Sequence, residues 1–276
     1  MKKIVLTPRG FSSIPIEAEV ISPDNFAGKT IPEIRELEIY YGNKAYPMKE
    51  YIHAQGEVAE TPEDQMIVID GDARHIKHIG EGMTAGGIVI QGGAGMHTGA
   101  QMKGGTLTIT GNVDDWCGAE MKGGLIRVVG NAGNLVGAAY RGSAEGMTGG
   151  CILVNGNAGA EIGSFMRRGM IVVTGDTGAF TGVHMNGGEI IIFGKAGKRL
   201  GAQAKGNGGF IACFGSVGEL LPTYRYDTTF TPTFMRLYLN QLSDNLGIGT
   251  AQYIDKPMRR YRGDLAVGGT AEILVV

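Results

Sequence analysis

The sequence predicts an all-β protein: a right-handed parallel β-helix, a solenoid of about seven coils, with a cap at each end. Three observations lead there: glycine fills 48 of 276 positions, short β-branched runs recur, and those runs keep a nearly constant spacing. Glycine at well over twice its usual ~7% share, with no collagen-like period and 43% hydrophobic residues, describes a folded chain that turns often.

The runs MIVIDG, GIVIQG, TLTITG, LIRVVG, CILVNG, MIVVTG, EIIIFG and FIACFG end at Gly71, Gly92, Gly111, Gly130, Gly156, Gly175, Gly194 and Gly215. The intervals are 21, 19, 19, 26, 19, 19 and 21 residues. The fuller unit reads G-x-x-M-x-x-G-x-[IL]-x-[IV]-x-G, with Met83, Met102, Met121, Met166 and Met185 at its fourth position. Two units depart from it: Ala144 opens one, and Gly206 replaces Met in the other. Ile and Val favour strands, and the gaps are shorter than the ~30 residues of a strand-helix-strand unit. Consecutive runs are therefore expected to stack as parallel strands, one coil per repeat, with glycine at the corners and the usual right-handed crossover. Alternate Ile and Val, and the repeated Met, are expected to point inward.

Residues 1–65 are the expected N-terminal cap, 66–215 the β-helix domain and 216–276 the C-terminal cap. KKIVLTP, LEIYYGN, YIHAQGEV and AEILVV read as strands and PEIREL as a helical turn. A helix near 232–246 is expected to start at Thr231-Pro232, to present Phe234, Leu237, Leu239, Leu242 and Leu246 on an apolar face, and to stop at Gly247.

A net charge of -2 removes any global attraction to nucleic acid or anionic membranes, so neither is an expected partner. Cys117, Cys151 and Cys213 are far apart, with no CxxC pair and no histidine at zinc-ligand spacing, so no metal or cofactor is expected on this chain. The N-terminal apolar run is shorter than a signal-peptide core and no long apolar run follows, which leads to the expectation of a cytoplasmic protein.

Catalytic signatures are sparse. His75 and His78 are close enough to share a metal on a helix, but no third ligand is evident in the sequence; His53, His97 and His184 lie apart. Asp114-Asp115-Trp116 suggests a stand-alone carbohydrate-active β-helix enzyme, a reading weakened because no second acidic column faces it. GxSxG, GxxxxGK[ST] and HExxH do not occur. The candidates that remain are partner contacts. Lys103 and Lys122 follow the repeated Met in successive units, Arg167 and Arg168 lie further along, and the insertion AAYRGSAEG presents Tyr140 and Arg141.

With DNFAGKTIPEIRELEIYYGN before it and MRRYRGDLAVGGTAEILVV after it, the repeat resembles the C subunit of the formylmethanofuran dehydrogenases of methanogenic archaea. The repeat alone is also similar to the C-terminal β-helix domain of the glutamate synthase large subunit and to the C subunit of the bacterial formyltransferase/hydrolase complex. The resemblance implies a non-catalytic scaffold in a complex that reduces CO2 and fixes it on methanofuran, the first step of methanogenesis. It further implies a molybdenum or tungsten pterin and an iron-sulfur cluster on the B subunit, a dinuclear metal site on the A subunit, and ferredoxin-like subunits that deliver electrons. The A and B subunits are the implied partners, and no family catalytic residue carries over to this chain.

Overall fold

The computed structural model describes residues 1–10 and 14–276; residues 11–13, inside the expected N-terminal cap, lie outside the described residues. The chain opens with strands β1 (Lys2–Pro8) and β2 (Ile16–Glu17), followed by helical turns α1 (Pro23–Phe26) and α2 (Ile31–Arg35). Strands β3 (Glu38–Tyr41), β4 (Lys44–Pro47) and β5 (Ile52–Gly56) complete this segment. The α2 turn starts where Thr30 and Glu33 cap each other reciprocally, which satisfies two backbone N–H groups.

The repeats supply β6 (Gln65–Asp70), β7 (Ile76–Lys77), β8 (Gly87–Gln91), β9 (Thr106–Ile109), β10 (Leu125–Val128), β11 (Cys151–Val154), β12 (Met170–Val173), β13 (Glu189–Ile192) and β14 (Phe210–Cys213). Strand β15 (Arg225–Phe230), helix α3 (Thr233–Leu246), β16 (Met258–Gly263) and β17 (Ala271–Val275) end the chain.

The architecture corrects the expected β-helix. Thirteen strands form one open sheet of mixed polarity, in the order β15-β16-β17-β14-β13-β12-β11-β10-β9-β8-β6-β1-β5, beside a separate four-stranded sheet, β4-β3-β2-β7. From β9 to β14 each repeat contributes a single four-residue strand. The rest of the unit is turn, joined to its neighbours by backbone hydrogen bonds and by single parallel bridges such as Ala94↔Val113 and Val113↔Ala132. One β-branched run per unit provides one regular strand. The glycine-rich remainder, with its many left-handed backbones, supplies no second extended sheet that could close the structure. The segments expected as separate caps extend the same sheet: β1 pairs parallel with β6, and β17 pairs parallel with β14.

Register is continuous along the repeats, with Leu107, Ile126, Ile152, Ile171, Ile190 and Ile211 in adjacent positions on neighbouring strands. The insertion leaves it undisturbed, since Ile126 still faces Ile152. One side of the sheet carries this apolar column into the main core, together with the fully buried Met83, Met102, Met121, Met147 and Met166.

The paired glycines before β9, β10, β11 and β13 answer two separate demands. A Cβ on Gly123 would sit 2.3 Å from the Lys103 carbonyl oxygen, and Gly124 needs φ +88°. Elsewhere amide side chains act as rungs. Asn112, Asn131 and Asn157 each accept a bond at 2.8 Å from the backbone N–H of the next unit, at Asn131, Asn157 and Asp176 respectively.

The other side of the sheet is uneven. Thr108 and Arg127 are half-buried, whereas Leu153, Val172, Ile191 and Ala212 at the equivalent positions are buried beneath Met235, Leu239 and Leu242 of α3. The helix begins one residue later than expected, after Pro232 and without a side-chain cap, and ends at the left-handed Gly247. Leu237, expected on its apolar face, is 72% exposed, and Phe234 sits at the helix edge. Among the described residues no helix is long and apolar enough to cross a membrane.

Candidate functional site

Because successive units stack in register, residues one repeat apart form columns along the turn side. One column runs through His78, His97, Trp116, Leu135, Glu161, Phe180 and Arg199, all with φ between 59° and 65°. A second includes Gln101, Glu120, Phe165, His184 and Gln203, also left-handed. A non-glycine residue in this region costs roughly 1–2 kcal/mol. Contacts within the columns offset part of that cost. His78 stacks on His97 at 4.5 Å and 13°, and Phe165 stacks on His184 at 4.5 Å and 17°. The Arg199 guanidinium lies 5.3 Å over the Phe180 ring.

Tyr140, reached through the insertion, is folded against the first column rather than free at the surface. Its hydroxyl lies 3.0 Å from His97 Nδ1, its ring 5.1 Å from Trp116, and its backbone N–H donates to Glu120 Oε1 at 3.2 Å. Arg141 is exposed at the rim of a cavity of about 340 Å³ lined by Trp116, Leu135, Glu161 and Phe165 among others.

The third column follows the buried methionines. Lys103, Lys122, Thr148, Arg167, Asn186 and Lys205 each donate a backbone bond to the methionine carbonyl of the preceding unit at 2.8 or 2.9 Å. Lys103, Lys122 and Arg168 are exposed. Arg167 is half-buried, and its Nη2 donates to the Ala144 carbonyl at 3.0 Å, clipping the insertion to the column. Its Nε is buried without a hydrogen-bond partner among the described residues, and Arg167 lines a polar cavity of about 430 Å³ with Glu145, Thr148, Arg168, Asn186 and Asn207. The insertion thus joins the Tyr140 end of one column to the Arg167 part of another.

The acidic pair has a structural task. Asp115 Oδ1 accepts from the Asn134 backbone at 2.6 Å and from its side chain at 3.1 Å, in the manner of the amide rungs. His75 and His78 flank β7 and are not on a helix. The histidine and aromatic columns escape a reading by local motif; their signal is the 19-residue spacing of His78, His97 and Trp116, and of Phe165 and His184. The cysteines are poor thiolate ligands: burial alone pushes Cys117 up to about 12 and Cys151 up to about 11.

Burial, reinforced by neighbouring His78, lowers the His97 pKa below its ordinary 6.5. Folded His97 stays neutral while the unfolded chain takes up a proton, so stability is complete above 6.5 and falls as pH drops toward the lowered folded value. The urea midpoint is expected to fall between about pH 7 and about pH 5.5. His97→Asn, compatible with φ +62°, should remove that part of the dependence; an identical pH profile in the variant would count against the assignment.

No family profile matches the chain. The C subunit of the tungsten-containing formylmethanofuran dehydrogenase 2 of Methanothermobacter wolfeii is 44% identical over 97 residues, covering 35% of this chain and 36% of that protein. The C subunit of the molybdenum-containing formylmethanofuran dehydrogenase 1 of Methanosarcina barkeri is also 44% identical over 97 residues, covering 35% of this chain and 32% of that protein. The matched part is thus well under half the length of these curated relatives. A chain in the X-ray structure of the formyltransferase/hydrolase complex of Methylorubrum extorquens, solved with methylofuran, is similar throughout, with TM-score 0.89, 30% identity and 98% of both chains covered. From that whole-length likeness the chain belongs to the same family as that chain of the formyltransferase/hydrolase complex, and about a third of it is similar to the C subunits of formylmethanofuran dehydrogenases.

Proposed function

We propose that the chain is a non-catalytic, cytoplasmic scaffold subunit of a formylmethanofuran dehydrogenase complex, which reduces CO2 and fixes it on methanofuran. On this reading the A and B subunits dock on it and carry the chemistry. The B subunit holds the molybdenum or tungsten pterin and iron-sulfur cluster, and the A subunit holds the dinuclear metal site. The observation that carries the reading is the cationic column. Lys103, Lys122, Arg167 and Arg168, with Arg141 on the clipped insertion, concentrate positive charge on a chain of net charge -2. Such segregation suits an acidic surface on a partner, where it governs orientation and encounter. Tyr140 acts from beneath, by holding the insertion against His97.

Lys103→Glu combined with Lys122→Glu is expected to weaken retention of the catalytic subunits at least about tenfold, about 1.4 kcal/mol. Unchanged co-purification would remove both lysines from the interface. A second reading, supported by the whole-length likeness to the formyltransferase/hydrolase complex chain, makes this the C subunit of a formyl-transferring complex without a redox subunit. Metal analysis of the co-purified complex separates the two. Molybdenum or tungsten favours the dehydrogenase, and formyl transfer in a complex lacking both favours the alternative.

A further inference from the structure

We propose that Glu19, His78 and Glu81 bind one divalent transition-metal cation, reversing the expectation of a metal-free chain. An imidazole nitrogen and one oxygen from each carboxylate all lie within 4.8 Å of one another. Ligand atoms around a tetrahedral zinc ion are roughly 3.3–3.6 Å apart, given bonds of about 2.0–2.2 Å. Small side-chain rotations therefore close the site.

The backbone holds these groups in place from several sides. Strands β2 and β7 pair in parallel through Ile16↔Ile76 and Glu17↔Lys77, and Ala18 N–H donates to the Lys77 carbonyl at 3.2 Å. That pairing sets Glu19 beside His78. Gly80 N–H donates to the Ile21 carbonyl at 2.9 Å, His78 N–H to Met96 at 3.0 Å, and Glu81 N–H to His78 at 3.1 Å. The His78 ring already contacts Glu81 through Nδ1, and its stack on His97 orients it from behind.

Charge favours a cation here. Lys77 is paired with Glu17 at 3.6 Å, and among the described residues no lysine or arginine forms an ion pair with Glu19 or Glu81. Glu81 is thus paired only with the His78 imidazole, and Glu19 brings a second carboxylate within 4.8 Å of both. One nitrogen and two oxygens form a donor set that suits Zn2+, Mn2+ or Fe2+, with room left for water. A bound ion would cross-link the N-terminal segment to the turn after β7 and stabilise the folded chain by mass action.

The test uses the full chain, stripped by a chelator and titrated with Zn2+ alone. One equivalent is expected, with a rise in thermal midpoint, and Co2+ should give visible d–d bands of a nitrogen- and oxygen-ligated site. Glu19→Gln and Glu81→Gln should each weaken Zn2+ binding at least about tenfold. His78→Asn, which suits the left-handed backbone, should abolish both the binding and the thermal shift. Failure of the wild-type chain to bind Zn2+, or undiminished binding by the two glutamine variants, would overturn the proposal. Should a variant fail to fold, the wild-type Co2+ spectrum decides: bands of this ligand class support the site, and their absence refutes it.

Discussion

Ile171→Ala is expected to lower the unfolding free energy by about 3–4 kcal/mol. Ile171 is fully buried in the continuous column between Ile152 and Ile190. It also packs over the glycine turn below, where a Cβ on Gly137 would lie 2.7 Å from its Cδ1. Regular strands and turns on both sides restrict collapse into the cavity, which places the cost in the upper part of the usual range. Thr108→Ala, on the half-buried opposite side of the sheet, should shift stability by no more than about 0.5 kcal/mol. Urea denaturation of both variants checks the contrast. A loss below about 1 kcal/mol for Ile171→Ala would mean that neighbouring units close around the void.

Gly124→Ala should be comparably damaging, at about 3 kcal/mol, because two costs add. Its φ of +88° strains any L side chain, and the new methyl would meet Met102 Cε at 2.7 Å and the Gly105 carbonyl oxygen at 2.8 Å. Gly142 provides the internal comparison. Its φ is +91°, but a Cβ there has no atom within 4 Å, so Gly142→Ala should show the backbone cost alone, roughly 1–2 kcal/mol. Equal losses at the two positions would mean that close approach between units contributes nothing.

Much of the local structure was legible because it rests on short-range chemistry. The β-branched runs form β6 and β8 to β14, Gly247 ends α3, and the spaced methionines lie in the core. Architecture was less legible, since spacing alone does not say how many strands each turn contains. An isolated glycine-bounded run suggests a coil of a closed β-helix, whereas it supplies one strand of an open mixed sheet. The candidate site divides in the same way. Lys103 and Lys122 are exposed in successive units, as their position after Met implied, but Tyr140 turns inward to His97, a contact across 43 residues. Glu19 was invisible as a neighbour of His78 because the two-residue strands β2 and β7 that join their segments carry almost no pattern of their own.

The undisturbed register at the 26-residue unit shows how this chain separates length from position. Extra residues leave the stack at the insertion and return to the same rung. Adding or removing a whole unit instead would displace everything beyond it by one strand spacing, about 4.8 Å. Distances along the turn side, such as that from His97 to Arg199, are therefore graduated in whole steps set by the repeat number.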